Sequence, residues 1–197
     1  MKGTSDSENN MGACAVTNPM PNWFLVLAII GLCMIVVYET WVALRMNWLV
    51  PPSDYPNILF IVGLVLVGLG LHALYLIYTR ILCRIASLGF IIVPLAFVPV
   101  YLPRNPALIA VFGTAGFYVV FFLGALAFYS LRGERTKIFR ITSFIVLFGA
   151  LSDILFFLLA FALSSNVPLS FGPIVRIAMW ISMAVTIAWV YRNNRSI

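Results

Sequence analysis

The stretch from Ile141 to Leu163 reads ITSFIVLFGALSDILFFLLAFAL and decides the fold of this chain. Its only ionisable side chain is Asp153. A helix needs about 20 apolar residues to cross the hydrocarbon core of a bilayer, and this stretch meets that length. It is also too long for a strand, and backbone polar groups in lipid must be paired within the segment. The stretch therefore predicts a transmembrane α-helix.

Five other apolar stretches have the same character. Together the six span residues 23–44, 58–78, 85–102, 107–131, 141–163 and 174–191. The prolines that separate them are Pro51, Pro52 and Pro56, then Pro103 and Pro106, then Pro168 and Pro173. We predict an all-α integral membrane protein, a compact bundle of six transmembrane helices over residues 22–192. A disordered polar tail, residues 1–21, precedes the bundle, and a short basic tail, residues 193–197, follows it.

The composition supports a membrane protein. Of 197 residues, 63% are hydrophobic and 9% are charged, and the mean hydropathy is +1.06. Soluble domains have about 45–50% apolar and about 25% charged residues. A soluble protein of this composition could not cover its surface with polar groups, so lipid must be the solvent for much of the chain.

The basic residues predict the orientation of the helices. If the N-terminus is cytoplasmic, nine of the twelve Lys and Arg residues lie on the cytoplasmic side and three, Arg45, Arg104 and Arg176, lie on the other side. This excess follows the positive-inside rule and predicts that both termini are cytoplasmic. It also explains the net charge of +6 without a nucleic-acid partner.

Several classes of site are excluded by residue counts. One histidine excludes a bis-histidine haem site, and three scattered cysteines without a CxxC pair give no spacing typical of a zinc site or a disulfide framework. No glycine-rich phosphate loop or acidic magnesium cluster occurs. The only lysines, Lys2 and Lys137, lie outside the apolar stretches, which excludes a retinal Schiff base. We therefore predict no metal and no cofactor.

Asp153 and Arg176 are the most informative ionisable residues, because charged groups in hydrocarbon are costly and are candidates for function. Asp153 follows Arg140 by 13 residues, which places it about 20 Å from the cytoplasmic end of its helix. Arg176 precedes Arg192 by 16 residues, or about 24 Å. The two depths differ by about 4 Å, which predicts an ion pair. Alternatively, Arg176 extends to the outer interface.

The other candidate binding residues are Glu39, Tyr38, Ser152 and Trp180, with His72 as a secondary candidate. Glu39 lies at a similar depth to Asp153 and could join the same pocket with Tyr38. It could equally be an interfacial residue beside Trp41. His72 lies in the opposite half of the bilayer, where hydrogen-bonded packing competes with a ligand role.

Small residues predict a close helix contact. Gly113, Gly116 and Gly124 fall on one face of the fourth stretch, where they let a neighbouring backbone approach. That face could serve an oligomer or a moving helix, or simply internal packing. Pro94 and Pro99 should bend the third helix.

Three functions fit these residues. The first is binding or transport of a small polar molecule or a proton through an outer-half pocket around Asp153 and Arg176. The second is a non-catalytic accessory or assembly subunit of a larger membrane complex, with partner membrane subunits or a second copy of the chain. The third is an intramembrane enzyme on a lipid or isoprenoid, using Asp153 and Glu39 as acid and base. The lipid bilayer is a partner in all three, and a plasma membrane or another energy-coupling membrane is the predicted location.

Overall fold

A computed structural model describes residues 20–47, 55–101, 114–131, 137–162 and 171–194 of the chain. Within these ranges all regular secondary structure is helical. The helices are α1 (Met20–Asn47), α2 (Tyr55–Tyr78), α3 (Ile81–Tyr101), α4 (Thr114–Ser130), α5 (Lys137–Ala162) and α6 (Phe171–Asn194). The predicted tail residues 1–19 and 195–197 and the prolines at 51, 52, 103, 106 and 168 lie outside the described residues.

Four of these helices contain segments long and apolar enough to cross a membrane, namely Pro21–Leu44, Ile58–Tyr78, Lys137–Phe156 and Gly172–Asn194. The apolar segments in α3 and α4, Ile81–Ala96 and Tyr118–Ser130, are shorter. Large apolar side chains cover the outside of the bundle, with Phe148 74% exposed and Val37 61% exposed. Such a surface would be unfavourable in water and matches lipid. The fold is all-helical and compatible with a membrane bundle.

The helices extend beyond the predicted apolar stretches. Met20 and Pro21 belong to α1, and Asn193 and Asn194 belong to α6, although the sequence places them in tails. Hydropathy marks the part of a helix that lies in hydrocarbon, whereas the hydrogen-bonded backbone continues into the polar interface. Pro56 and Pro173 stand in the first turns of α2 and α6, where the missing N–H would have no partner in the helix.

The connection between α2 and α3 is shorter than predicted, because α3 begins at Ile81 rather than at residue 85. Thr79 has a positive φ of 54°, and its N–H donates to the Tyr75 carbonyl at 2.7 Å. This residue in the left-handed conformation directly after Tyr78 terminates α2. Arg84, predicted in a loop, therefore lies on α3 with its guanidinium 5.6 Å from the centre of the Tyr75 ring.

The six helices pack in a closed circle in chain order, since each contacts its sequence neighbours and α6 also contacts α1. Asn194 at the end of α6 donates to Asn22 at the start of α1 at 2.8 Å. We call the end with these two residues the inner end of the bundle, after its predicted orientation, and the opposite end the outer end.

Helices α1 and α2 make the closest backbone contact. A Cβ on Gly31 would lie 2.6 Å from the Gly63 carbonyl oxygen, and a Cβ on Gly63 would lie 2.8 Å from the Gly31 carbonyl oxygen. Only glycine permits this approach, since a real Cβ cannot come so close. On α4, Gly124 faces inward, with Phe90 at 3.4 Å and Met183 at 3.8 Å from its Cβ position. Gly116 lies on α4, and Gly113 lies outside the described residues.

Candidate functional site

Arg176 binds both acidic side chains that the sequence singles out. Its Nε donates to Glu39 Oε1 at 2.9 Å. Its Nη1 donates to Asp153 Oδ1 at 3.1 Å and to Oδ2 at 3.0 Å. We call Glu39, Asp153 and Arg176 the ion cluster. Of the alternatives left open by the sequence, Arg176 pairs with Asp153, and Glu39 joins them.

Helix direction explains how three distant residues meet. Glu39 lies towards the C-terminal end of α1, Asp153 towards that of α5, and Arg176 in the second turn of α6. Because α6 runs antiparallel to both neighbours, these positions reach the same level in the outer half of the bundle. The first and last helices are adjacent, which the chain order alone does not reveal.

The ion cluster is largely buried. Glu39 and Asp153 are 2% and 7% exposed at the side chain, and Arg176 is 20% exposed. Gly172 leaves the space for it, because a Cβ there would lie 2.7 Å from Asp153 Oδ1 and 3.3 Å from Arg176 Nη1. A buried charge of this kind is stable only when it is paired and hydrogen-bonded. The planar guanidinium suits this bridging position, because its Nε–H and Nη1–H groups point in different directions and reach different carboxylates.

Two aromatic polar groups complete the surroundings of the ion cluster. The hydroxyl of Tyr118 on α4 interacts with Asp153. The indole N–H of Trp180, one turn below Arg176, interacts with the Glu39 carboxylate. Glu39 Oε2 is buried and accepts no full hydrogen bond among the described residues. Asp153 is thus better supplied with donors than Glu39.

Trp180 also closes the bundle below the ion cluster. Its side chain is fully buried and packs against Phe121 on α4 at 4.8 Å and Phe90 on α3 at 6.4 Å between ring centres. This layer separates the ion cluster from the inner half. Trp180, a candidate binding residue from the sequence, therefore lies directly below the ion cluster.

The inner half contains neutral polar contacts. The hydroxyls of Thr142 on α5 and Thr186 on α6 are 2.5 Å apart. The hydroxyl of Ser143 donates to the Ala125 carbonyl on α4 at 2.9 Å. Below them Phe139 packs edge-on against Trp189, with ring centres 6.0 Å apart, and against Tyr78 at 5.6 Å. A second group of packed aromatic rings therefore lies in the inner half.

The remaining candidates lie around the site or away from it. Tyr38 is half-buried and packs on Phe60, with ring centres 4.8 Å apart. Ser152 is half-buried on α5 beside Asp153. His72 lies near Phe24 and Tyr75 in the inner half, at 6.3 Å and 5.8 Å between ring centres, so it does not join the ion cluster.

Sequence reasoning missed Tyr118. A depth count could have found it, because Tyr118 lies 12 residues, or about 18 Å, before Ser130 at the inner end of α4. The corresponding distance for Asp153 from Lys137 is about 24 Å over 16 residues. Tyrosine is common in apolar segments, however, so depth without helix adjacency would not have distinguished it from a packing residue.

Within the described ranges, no three His, Cys, Asp or Glu side chains come together as a metal ion would require. The cluster chemistry is instead that of two carboxylates sharing one guanidinium. With both acids ionised, the formal charge is −1. Such a site can accept a proton or a cationic group, or exchange the Arg176 contacts for those of an anionic group.

Comparison of the chain with protein-family models, curated proteins and solved structures finds no match. The structure nevertheless defines a class. Its long apolar helices and lipid-compatible surface are those expected of a polytopic membrane protein, with an ion cluster between the first, fifth and sixth helices.

Proposed function

We propose that this protein binds a small polar molecule or a proton at the ion cluster and moves it across the membrane. The observation that carries the proposal is the excess of one carboxylate in a buried site. A purely structural ion pair would need one acid for Arg176, and each further buried charge destabilises the fold. Retaining Glu39 and Asp153 together is better explained by a ligand or proton that balances the charge.

The transport pathway would run along the interior of the helix circle. The outer half offers the ion cluster, and the layer formed by Trp180, Phe90 and Phe121 lies directly below it. Opening that layer and the inner layer of Phe139, Trp189 and Tyr78 in turn would give alternating access to the cluster. The proposed topology has six spans with both termini cytoplasmic, in keeping with the nine-to-three distribution of basic residues and with the contact between Asn22 and Asn194.

Proteoliposomes test this proposal. Purified protein is reconstituted into vesicles loaded with a pH-sensitive dye, and an inward proton gradient is imposed with and without small amino acids or amines outside. We expect internal acidification, or its stimulation by one class of solute, and loss of the signal in Asp153→Asn. His72→Gln, a polar change outside the ion cluster, serves as the matched control and should retain the signal. Equal flux in wild type and Asp153→Asn would overturn the proposal.

A second function is favoured by one observation, namely that Arg176 donates hydrogen bonds to both carboxylates and so links three helices from within the chain. An accessory or assembly subunit would use such internal pairing to hold α1, α5 and α6 together. In that case the triple variant Glu39→Met, Asp153→Leu, Arg176→Met should fold and assemble normally, because apolar residues often replace a buried ion cluster without loss. The measurement is the size of the complex that contains the triple variant in native membranes. Loss of assembly would contradict this function.

A further inference from the structure

The charge of the ion cluster is not balanced by the groups around it. Arg176 contributes one positive charge, and Glu39 and Asp153 contribute two negative charges when ionised. The other Lys and Arg side chains that the structure describes, Arg80, Arg84, Lys137, Arg140 and Arg192, lie towards the inner end of the bundle. A net charge in a low-dielectric interior is strongly disfavoured, so a proton on one of the two acids would stabilise the cluster.

The donors are unequally divided between the two acids. Both oxygens of Asp153 accept from Arg176 Nη1, and Tyr118 adds its hydroxyl. Glu39 accepts one full hydrogen bond, at Oε1, while its Oε2 is buried without one among the described residues. Donors stabilise an ionised carboxylate, so Glu39, the acid with fewer donors, is the better placed of the two to accept a proton.

The groups that face Glu39 come from α5 and α6. Helix α6 presents Arg176 and Trp180, α5 presents Asp153, and α4 presents Tyr118 through its contact with Asp153. The titratable side chains described on α2 are His72, Tyr75 and Tyr78, which lie towards the inner end. On α1 itself, Tyr38 packs on Phe60. None of these supplies the missing positive charge at the level of Glu39.

We infer that Glu39 Oε2 is the site of one exchangeable proton, and that the contact of the Trp180 indole N–H with this carboxylate responds to its occupancy. The proton comes from hydronium in the outer aqueous phase and bonds to a lone pair of Oε2. One O–H bond of hydronium breaks as the Oε2–H bond forms, water is released to the outer phase, and the charge of the cluster changes from −1 to zero. This inference deepens the proposed function, on which it rests, by naming the proton as the transported or coupling ion.

Trp180 is a positioning residue that links this proton to the rings packed below the ion cluster. When Glu39 is ionised, Oε2 attracts the indole N–H, which already interacts with the carboxylate. When Oε2 carries the proton, that attraction weakens and the indole is released. Because the same side chain packs against Phe121 and Phe90, a change in the contact between its indole N–H and Glu39 acts directly on these two rings.

Infrared spectroscopy of the full-length protein in lipid nanodiscs tests the proton site. Difference spectra between acidic and alkaline buffer should contain the carbonyl band of a protonated carboxylic acid. Labelling the glutamate side-chain carboxyl with ¹³C should shift that band in the wild-type protein, and Glu39→Gln should abolish it. His72→Gln, a change outside the ion cluster that leaves its charge unaltered, is the matched control and should keep the band.

Resonance Raman spectroscopy of the indole hydrogen-bond marker tests the link to Trp180. The marker should change with pH in the wild type but not in Glu39→Gln, and subtraction of Trp180→Phe assigns it to this residue among the five tryptophans. Two infrared results would overturn the inference. One is a carbonyl band whose frequency does not shift with the glutamate label, and the other is the absence of any such band over the pH range in which the protein stays folded. A labelled band in protein that carries no flux in liposomes would support the proton site and overturn transport alone. Proton flux that depends on Asp153, in protein that has no labelled band, would support transport and overturn the proton site at Glu39.

Discussion

The outer and inner halves of the bundle join the same two helices by different chemistry. In the outer half, Arg176 of α6 holds Asp153 of α5 with two charged hydrogen bonds. In the inner half, the same helices meet through the hydroxyls of Thr142 and Thr186 and through the rings of Phe139 and Trp189. Neutral contacts suffice to join helices in lipid, where hydroxyl bonds contribute only about 0.6 kcal/mol on average.

The difference teaches that the charges are not needed merely to hold α5 against α6. If neutral contacts join these helices in one half, they could do so in the other. The ion cluster also includes α1 and carries an excess acid, which neutral packing would not require. The outer half is therefore where function is expected, and the inner half serves as the internal reference in each experiment below.

The largest expected effect is that of Arg176→Met. This change leaves Glu39 and Asp153 buried without a counter-charge, and breaking a buried ion pair from one side costs about 3–5 kcal/mol. Unfolding in mixed detergent micelles, followed by circular dichroism, measures it. Arg176→Lys keeps the positive charge but loses the bridging geometry of the guanidinium. Its stability should therefore lie between those of the wild type and Arg176→Met. A fully stable Arg176→Met protein would show that the halves do not differ as described.

The two acids should differ in the next experiment. Asp153→Asn weakens the charged hydrogen bonds from Nη1 and should cost about 1.5–3 kcal/mol, the range for bonds to charged groups. Glu39→Gln mimics the protonated acid and should cost less than about 1 kcal/mol, as for a neutral bond. The same unfolding assay compares them side by side. Equal losses for both variants would contradict the unequal division of donors.

Substitutions at glycines test how tightly the outer half is packed. Gly172→Ala would place a methyl group against Asp153 Oδ1 and should cost about 1–3 kcal/mol, the usual range for overpacking. Gly124→Ala is the matched control, because its Cβ would meet Phe90 at an ordinary 3.4 Å. The comparison of their unfolding midpoints is the readout. A larger loss of stability in Gly124→Ala than in Gly172→Ala would mean that the ion cluster accommodates an added methyl group more easily than the aromatic core does.

The smallest effect is expected in the inner half. A double-mutant cycle of Thr142→Val and Thr186→Val should give a coupling of about 0.6 kcal/mol, the average for side-chain hydrogen bonds between membrane helices. Proton flux should be unchanged in both single variants, since neither touches the ion cluster. A coupling as large as that between Arg176 and Asp153 would remove the distinction between the halves.

Much of the site could be predicted from the sequence because depth in a bilayer follows from residue count. The depths of Asp153 and Arg176 differ by about 4 Å by that count, and the two side chains do form hydrogen bonds. The role of Glu39 could not be settled in the same way. Its depth suits both an interfacial residue and a member of the site, and only the contact between α1 and α6 brings it to Arg176.

The glycines show the same limit. The spacing on the fourth stretch predicted a close helix contact there, and the structure adds a tight backbone approach of Gly31 and Gly63 between α1 and α2. A small residue permits close packing, but the partner and its rotation decide whether packing occurs. Gly31 has no regular glycine spacing around it, so its sequence offered no such signal.

By itself the sequence determined that this chain is helical and built for lipid, because 63% hydrophobic residues in long runs leave no other way to pair the backbone. It also identified the few costly side chains, since any ionisable group in hydrocarbon stands out. Only the tertiary structure decided which of them meet, and that Trp180 lies between the ion cluster and the core. Residue count along a helix specifies depth, whereas the order and rotation of helices around the circle depend on packing over the whole bundle.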